Sequence, residues 1–184
     1  MKQRKAAFLD RDGVINVDRA YVHRLTDFDI LPGVVPALKL FAADGHALVV
    51  VTNQSGIARG LYTEQAYVRL TEHMRVLLAQ EGIELDGVYH CPHHPQAVIE
   101  RYRVVCDCRK PLPGLLHRAA AELQLDLEAS VLIGDQLTDV EAGRAAGLSR
   151  CYLVGSRAQH DGLADAAFPS LLDCARTVCT GARP

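Results

Sequence analysis

The sequence has little net charge and no long apolar run, and each of these absences excludes a class of protein. The 184 residues carry a formal net charge of −2 at pH 7, so the chain lacks the basic surface expected for binding nucleic acid or an anionic membrane. No apolar stretch approaches the about 20 residues of a transmembrane helix. The apolar run after the basic N-terminus is too short for a secretory signal. We therefore expect a cytoplasmic protein that binds neither nucleic acid nor membrane.

The chain is also expected to form one domain rather than several. Its length fits one domain over residues 1–184, and apolar residues make up 49% of it, which is enough for a core. Short apolar runs alternate with amphipathic segments, and this alternation predicts an α/β fold with a doubly wound, mostly parallel sheet. Strands are predicted at residues 6–9, 47–51, 87–90, 131–133 and 151–154. Helices are predicted between these strands and at about residues 170–178.

The six cysteines do not form a pattern typical of disulfides. Three of them cluster with histidines, which in a cytosolic chain indicates metal binding more often than disulfide formation. The ligand pairs Cys91/His93 and Cys106/Cys108 supply four nitrogen and sulfur ligands, the number that tetrahedral structural zinc requires. We therefore predict a structural zinc ion held by these four residues. The other cysteines are expected to be small apolar residues: Cys151, Cys174 and Cys179.

Polar side chains stand just after three predicted strands, and a lysine stands at the start of a predicted helix. They are Asp10, Asp12, Thr52, Asn53, Asp135 and Lys110. In an open α/β sheet the carboxyl ends of the strands meet at one crevice, where ligands bind. Each residue alone could belong to an ordinary turn. Together they suit phosphoryl transfer, because Mg²⁺ and a phosphate are the usual partners of two carboxylates as close as Asp10 and Asp12.

This chemistry gives each group a candidate role. Asp10 could attack phosphorus and form an aspartyl-phosphate. Asp12 could protonate the leaving oxygen and then activate water. Mg²⁺ bound by Asp10, the Asp12 carbonyl oxygen and Asp135 would offset the negative charge. The phosphoryl oxygens would be held by Thr52, the Asn53 backbone N–H and Lys110.

Four motifs together resemble the haloacid dehalogenase superfamily, and within it the branch of heptose bisphosphate and histidinol-phosphate phosphatases. They are DRDGVIN at residues 10–16, VTNQSG at 51–56, CRKP at 108–111 and GDQLTD at 134–139. The resemblance implies hydrolysis of the 7-phosphate of a heptose 1,7-bisphosphate, in the synthesis of ADP-heptose for lipopolysaccharide core or S-layer glycan. Histidinol-phosphate phosphatase is the alternative. A polynucleotide-end phosphatase is disfavoured by the missing basic surface, and a non-catalytic phosphosugar-binding protein would not need Asp10 beside Asp12.

The resemblance also implies roles for individual residues. Asp10 would be the nucleophile, Asp12 the acid and base, Thr52 and Lys110 the phosphoryl stabilisers, and Arg109 a substrate contact. Further substrate contacts are implied at Asp18, Arg19, Ala20, Tyr21, Asn53, Gln54, Ser55 and Gln136.

The substrate must be held by loops, because the spaces between the motifs are too short for a separate cap domain. A phosphosugar with a second phosphate fits the available cations, since arginine binds phosphate bidentately. The family pattern leads us to expect glycine where this chain has Ala20, so a positive φ at that position would strain the loop. We expect a monomer with a small-molecule phosphosugar substrate.

Overall fold

A six-stranded sheet is the centre of the fold, within the residues that the computed structural model describes, 3–155 and 162–181. All neighbouring strands are parallel, and their order is β3-β2-β1-β4-β5-β6. The strands are β1 (Ala6–Leu9), β2 (Ala47–Asn53), β3 (Gly87–Cys91), β4 (Val131–Gly134), β5 (Arg150–Val154) and β6 (Ala166–Phe168). The helices are α1 (Val34–Ala43), α2 (Ser55–Ala58), α3 (Glu64–Gln80), α4 (Gly114–Leu123), α5 (Leu137–Ala145) and α6 (Leu171–Thr180).

Two apolar layers cover the two faces of this sheet. Ala7 and Leu9 of β1 belong to a core cluster shared with α1, α3 and α6, whereas Ala6 and Phe8 belong to a second cluster with α4 and α5. Alternate residues of a strand point to opposite faces, so β1 must be apolar throughout. This arrangement confirms the predicted doubly wound α/β fold.

The helix boundaries follow from local signals in the sequence. The Thr63 side chain accepts a hydrogen bond from the Ala66 backbone N–H and caps α3. Ser170 caps α6 in the same way through the backbone N–H of Asp173. Gly45 follows α1 with φ of 79°, the left-handed conformation in which glycine ends helices.

Two short elements were not predicted, and one predicted position was wrong. The strand Ala166–Phe168 has three residues, too few for a periodic signal. The helix Ser55–Ala58 has four residues, which is also too few for a periodic signal. Lys110 does not stand at the start of a helix, because α4 begins only at Gly114. The dipole of that helix therefore does not act on the lysine at close range.

The connections between the elements are loops without an inserted cap domain in the described part of the chain. Residues 10–33 and 92–113 contain only two short 3₁₀ turns, Leu25–Asp27 and Glu100–Tyr102. Both loops leave the carboxyl ends of strands, so they surround the crevice that the sheet forms there. None of the helices in the described residues has the length and apolar character needed to cross a bilayer.

Candidate active site

The order of the strands brings the predicted polar groups together. Because β1 lies between β2 and β4, Asp10 at the end of β1 is flanked by Thr52 at the end of β2 and Asp135 after β4. Asp139 reaches the same place from the first turn of α5. The crevice therefore collects side chains from segments far apart in the sequence.

Lys110 is the buried cation of this crevice. Its Nζ lies 3.0 Å from Asp10 Oδ1 and 2.6 Å from Asp139 Oδ1, and it donates a hydrogen bond to the Val51 carbonyl oxygen at 2.8 Å. Burial alone would lower the pKa of Lys110, but the carboxylates of Asp10 and Asp139 raise that pKa above its ordinary value. The lysine is therefore charged at neutral pH.

The Asn53 side chain fixes the backbone at Lys110. Its Nδ2 donates to the Lys110 carbonyl oxygen at 3.0 Å, and its Oδ1 accepts from the Lys110 N–H at 3.1 Å. The Lys110–Pro111 peptide bond is cis. The end of β2 thus fixes the backbone of Lys110. The Asn53 backbone N–H is still the predicted donor to phosphate.

Three carboxylates form an acid cluster in front of this lysine. Oxygen atoms of Asp10, Asp135 and Asp139 lie within 4.8 Å of one another. Burial raises the pKa of Asp10 to about 7 and that of Asp135 to about 6. Close packing of carboxylates disfavours their ionisation unless a cation is present, so the cluster is suited to a hard divalent metal with oxygen ligands.

Asp139 is the member of this cluster that the sequence-based prediction did not include. Its position as the last residue of the GDQLTD motif is the signal that could have identified it. A Cβ on Gly134 would overlap the Asp139 carboxylate, and one on Gly13 would overlap that of Asp135. Both glycines, which belong to the recognised motifs, therefore allow the acids to approach the backbone closely.

Asp12 points into a separate set of hydrogen-bond donors. Arg11 Nη2 lies 2.9 Å from its Oδ1 and 2.8 Å from its Oδ2. Asn16 Nδ2 donates to Oδ1 at 3.0 Å, and Gln54 Nε2 donates to Oδ2 at 3.1 Å. Arg11 is 1% exposed. Sequence reasoning missed Arg11 and Asn16, although both lie in the DRDGVIN motif.

The four predicted zinc ligands lie together on one side of the crevice. Cys91 Sγ is 3.6 Å from Cys106 Sγ, and His93 Nδ1 is 3.7 Å and 3.4 Å from the sulfur atoms of Cys91 and Cys108. Zinc bond lengths in a tetrahedron correspond to about 3.8 Å between two sulfur ligands and about 3.5 Å between nitrogen and sulfur. All four cysteine and histidine side chains therefore fit one zinc ion, and the cysteines are not in disulfides.

Comparison with known proteins identifies the family. The HAD-hydrolase-like family model matches residues 107–172. D-glycero-beta-D-manno-heptose-1,7-bisphosphate 7-phosphatase of Photorhabdus laumondii is 51% identical over 81% of this chain and 79% of its own length. The enzyme of the same name from Salmonella typhi is 49% identical over 91% of this chain and 92% of its own. This chain belongs to the family of these heptose bisphosphate phosphatases.

A solved structure of a heptose bisphosphate phosphatase supports the same assignment. The D,D-heptose 1,7-bisphosphate phosphatase of B. bronchiseptica, complexed with magnesium and phosphate, superposes with a TM-score of 0.80 and 31% identity. The match covers 97% of this chain and 99% of that one. The fold of that phosphatase therefore extends over nearly all of this chain.

The substrate loop predicted for this family has the strained geometry that its sequence suggested. Ala20 and Tyr21 have φ of 55° and 59°, and the Ala20 N–H donates to Asp18 Oδ1 at 2.9 Å. Arg19 pairs with Asp29 at 2.5 Å on the exposed surface. The loop thus bends through two left-handed residues, neither of which is glycine.

Two arginines and a histidine meet beside the zinc loop. Arg59 Nη2 lies 3.2 Å from His94 Nε2, and Arg109 Nη1 donates to the His93 carbonyl oxygen at 3.4 Å. Partial burial lowers the pKa of His94, and the charges of Arg59 and Arg109 lower it further. No carboxylate among the described residues pairs with either arginine at the distance of a salt bridge. In this set, here called the Arg/His triad, only Arg109 was predicted as an individual substrate contact.

Two of the remaining predicted contacts, Asp18 and Gln136, line a cavity together with Asp135. The volume of this cavity is about 670 Å³, and Gln136 Nε2 donates to Asp135 Oδ2 at 2.9 Å. Ser55 begins α2 directly after Gln54. The side-chain amide of Gln54 is used within the protein, in hydrogen bonds to its neighbours.

Proposed function

We propose that this chain hydrolyses the 7-phosphate of D-glycero-β-D-manno-heptose 1,7-bisphosphate as a magnesium-dependent phosphatase. The observation that carries this proposal is the Asp10 carboxylate at the carboxyl end of β1, with Lys110 on one side and further carboxylates beside it. The relatives from Photorhabdus laumondii and Salmonella typhi, which share about half of its residues over most of the chain, act on this compound in its β-anomeric form.

The reaction has two phosphoryl-transfer steps. A carboxylate oxygen of Asp10 attacks phosphorus, and the bond between phosphorus and the sugar C7 oxygen breaks as the new bond forms. Asp12 donates a proton to that oxygen, so the sugar leaves as an alcohol. Asp12 then takes a proton from water, which attacks the aspartyl-phosphate, releases inorganic phosphate and regenerates Asp10.

The surroundings of Asp10 keep it available as a nucleophile. Burial raises its pKa to about 7, whereas the Lys110 ammonium opposes that shift. Lys110 would also hold a phosphoryl oxygen, together with the Thr52 hydroxyl and the Asn53 backbone N–H. Since Lys110 already contacts Asp10, it can stabilise the phosphate at the atom where the new bond forms.

Asp10, Asp135 and the Asp12 carbonyl oxygen would hold magnesium. The buried, mutually repelling carboxylates fit such a cation. When bound, magnesium offsets the charge of the carboxylates and the phosphate and polarises the phosphoryl group. Asp139 has a different part, because its two oxygens already bind Lys110 and the Gln136 backbone N–H. It fixes the position of the lysine.

The Arg/His triad is the candidate binding site for the second phosphate. Arg59, His94 and Arg109 are concentrated at one place without a paired carboxylate in the described structure, and arginine binds phosphate through two parallel hydrogen bonds. This feature favours a bisphosphate over histidinol phosphate, which has only one phosphate. Sugar contacts are proposed for the loop residues Asp18, Arg19, Ala20 and Tyr21, and for Ser55 and Gln136.

Phosphate release from three compounds tests the proposed function. They are the heptose 1,7-bisphosphate, histidinol phosphate and a 3′-phosphorylated oligonucleotide. We expect the highest kcat/KM for the heptose bisphosphate. A higher value for either of the other compounds would contradict the proposal.

Arginine variants test the site of the second phosphate. Arg59→Met and Arg109→Met should each lower kcat/KM for the bisphosphate at least about tenfold, since each removes a charged hydrogen-bond donor. The same variants should change kcat/KM for the heptose 7-monophosphate by less than about twofold. Arg101→Met is the matched control, because Arg101 lies in the same loop region but packs over the Tyr102 ring. Equal losses on both substrates would exclude this role.

The wider setting is also part of the proposal. We place the reaction in the cytoplasm, in ADP-heptose synthesis for lipopolysaccharide. We propose that one domain over residues 1–184 acts as a monomer. Light scattering of the purified protein would test the monomer directly.

A further inference from the structure

The Asp12 carboxylate is surrounded by protein donors rather than directed freely into the crevice. Both oxygens face Arg11 Nη2, and each accepts one more hydrogen bond, from Asn16 and from Gln54. Four short contacts define one position for a side chain that is only 22% exposed. The groups that make these contacts therefore decide where the acid and base of the reaction stands.

Gln54 is the central donor of this set. It is 2% exposed, and its Nε2 donates both to Asp12 Oδ2 at 3.1 Å and to Thr52 Oγ1 at 2.9 Å. Its Oε1 accepts from the Tyr62 hydroxyl at 2.6 Å. A carboxylate only accepts hydrogen bonds, so the amide nitrogen must face Asp12 and the amide oxygen must face Tyr62. The Tyr62 hydroxyl then has to be the donor.

The orientation of this amide also orients Thr52. Since the Thr52 oxygen accepts a hydrogen bond from Gln54, its own hydrogen must point elsewhere. That hydrogen is then available for a phosphoryl oxygen, which is the role proposed for Thr52. One amide thus directs both the acid–base group and a phosphoryl donor.

Tyr62 is held firmly enough to fix the amide. The residue is 7% exposed, and its ring stacks on His23 with 5.0 Å between ring centroids. A Cβ on Gly56 would overlap the Tyr62 ring, so the glycine of the VTNQSG motif allows the ring to lie directly on α2. The Tyr62 ring is therefore packed on one side by the Gly56 backbone and on another by the His23 ring.

We infer that Tyr62 and Gln54 are positioning residues of the acid–base step, which set the place of the Asp12 carboxylate and the direction of the Thr52 hydroxyl. This inference rests on the proposed phosphatase function. Neither residue needs to touch the substrate, because each acts through a neighbour. Gln54 thereby has a role different from the substrate contact that the family resemblance implies.

Leaving-group dependence separates this role from a merely structural one. Breaking the bond to an alcohol such as the heptose needs a proton from Asp12, whereas p-nitrophenol leaves well without one. The value of kcat/KM covers the steps up to release of the leaving group, so it reports this proton transfer. The quantity to measure is kcat/KM for the heptose bisphosphate divided by kcat/KM for p-nitrophenyl phosphate.

We expect Gln54→Met to lower this ratio about tenfold, a part of the about 10²–10⁴-fold that general acid–base catalysis supplies. It should also lower both kcat/KM values, because Thr52 loses its orientation. Tyr62→Phe should lower the ratio about threefold while preserving the fold. Tyr102→Phe is the matched control: its hydroxyl donates to Glu64 at 2.9 Å, in the same apolar cluster but without contact to Gln54. Its ratio should stay within about twofold of wild type.

If this ratio is unchanged in Tyr62→Phe and Gln54→Met, the inference is overturned, even if the kcat/KM values for both substrates fall. If Gln54→Met does not fold, Tyr62→Phe decides alone. The wild-type rate on the heptose bisphosphate tests the proposed function separately. Should wild type prefer histidinol phosphate, that compound replaces the heptose in the ratio, because it also releases an alcohol.

Discussion

The Lys110 ammonium lies 3.0 Å from the Asp10 carboxylate, and the same ammonium is 2.6 Å from Asp139. The lysine therefore bridges two acids that reach it from β1 and α5. Loss of one acid leaves the other in place, so the buried positive charge keeps a partner. This redundancy allows the nucleophile to be removed without leaving an unpaired buried charge, which would cost about 3–5 kcal/mol.

Asp10→Asn should abolish activity and preserve the fold. The amide keeps the size of the carboxylate but neither its charge nor its nucleophilicity, and Lys110 retains Asp139. Phosphate release should fall to background, with unchanged helix content by circular dichroism. Asp12→Asn keeps the nucleophile, so phosphate release by the two variants is compared on a substrate that has a good leaving group. Appreciable turnover by well-purified Asp10→Asn protein would exclude the covalent mechanism.

Removal of magnesium should abolish activity while zinc stays bound. The acid cluster around Asp10 and Asp135 needs a cation to offset its mutual repulsion. We expect no phosphate release after mild chelation and recovery on addition of Mg²⁺, with zinc content checked by elemental analysis. Asp135→Ala should have the same effect as metal removal and should not recover with Mg²⁺. Full activity without magnesium would contradict this site.

The sequence predicted the sheet better than the details of the site. Strands such as Ala6–Leu9 are fully buried, so their apolar runs are plain in the sequence. Asp139 was missed because its contact with Lys110 depends on how α5 packs, which the sequence pattern does not predict. Arg59 and His94 come from separate loops, and only the folded chain shows that they meet. The hydrogen bonds of Gln54 likewise depend on Tyr62, eight residues later in the chain.

Loss of a zinc ligand should loosen the zinc loop and leave the sheet intact. We expect one tightly bound zinc per chain and none in Cys106→Ala, with near-native helix content because the two large core clusters consist mostly of residues other than the zinc ligands. Activity should fall, since Arg109 and Lys110 directly follow the ligand Cys108 and a shift of about 1 Å can cost about 10²-fold. Cys179→Ala, outside the cluster, is the control and should keep zinc and activity. Unchanged kinetics in zinc-free Cys106→Ala would exclude a positioning role for the metal.

Ala20→Gly should stabilise the protein. Ala20 has φ of 55°, a conformation that costs an L-residue about 1–2 kcal/mol but costs glycine little. The greater freedom of glycine in the unfolded chain offsets part of this gain, so the free energy of unfolding should rise by up to about 1 kcal/mol. Ala121→Gly in α4 is the control and should lower it by about 1 kcal/mol. Denaturant unfolding measures the free energy of unfolding of both variants. A similar loss of this free energy in Ala20→Gly and Ala121→Gly would exclude strain at Ala20.

His46 lies at the opposite end of the sheet, before β2, in a group with Asp44 and Cys179. The group has atoms of metal-ligand type, but Lys5 already pairs with Asp44 Oδ2 at 2.8 Å, and its positive charge opposes a metal ion there. His46 is 3% exposed, and its ring packs edge-on against Phe41 with 5.4 Å between centroids. Burial lowers the pKa of His46 to about 4, and the charge of Lys5 contributes to this shift.

This buried histidine should make the protein less stable in mild acid. The unfolded chain binds a proton at His46 below its ordinary pKa of 6.5, whereas the folded chain binds it only below about 4. Lowering the pH from 7 to 5 therefore favours the unfolded state, and the expected loss from this residue is about 2 kcal/mol. His46→Gln cannot titrate, so the difference between its free energies of unfolding at pH 7 and pH 5 should be smaller than that of wild type by about this amount. Denaturant unfolding at the two pH values measures both differences, and equal values for the two proteins would show that His46 is not buried in its neutral form.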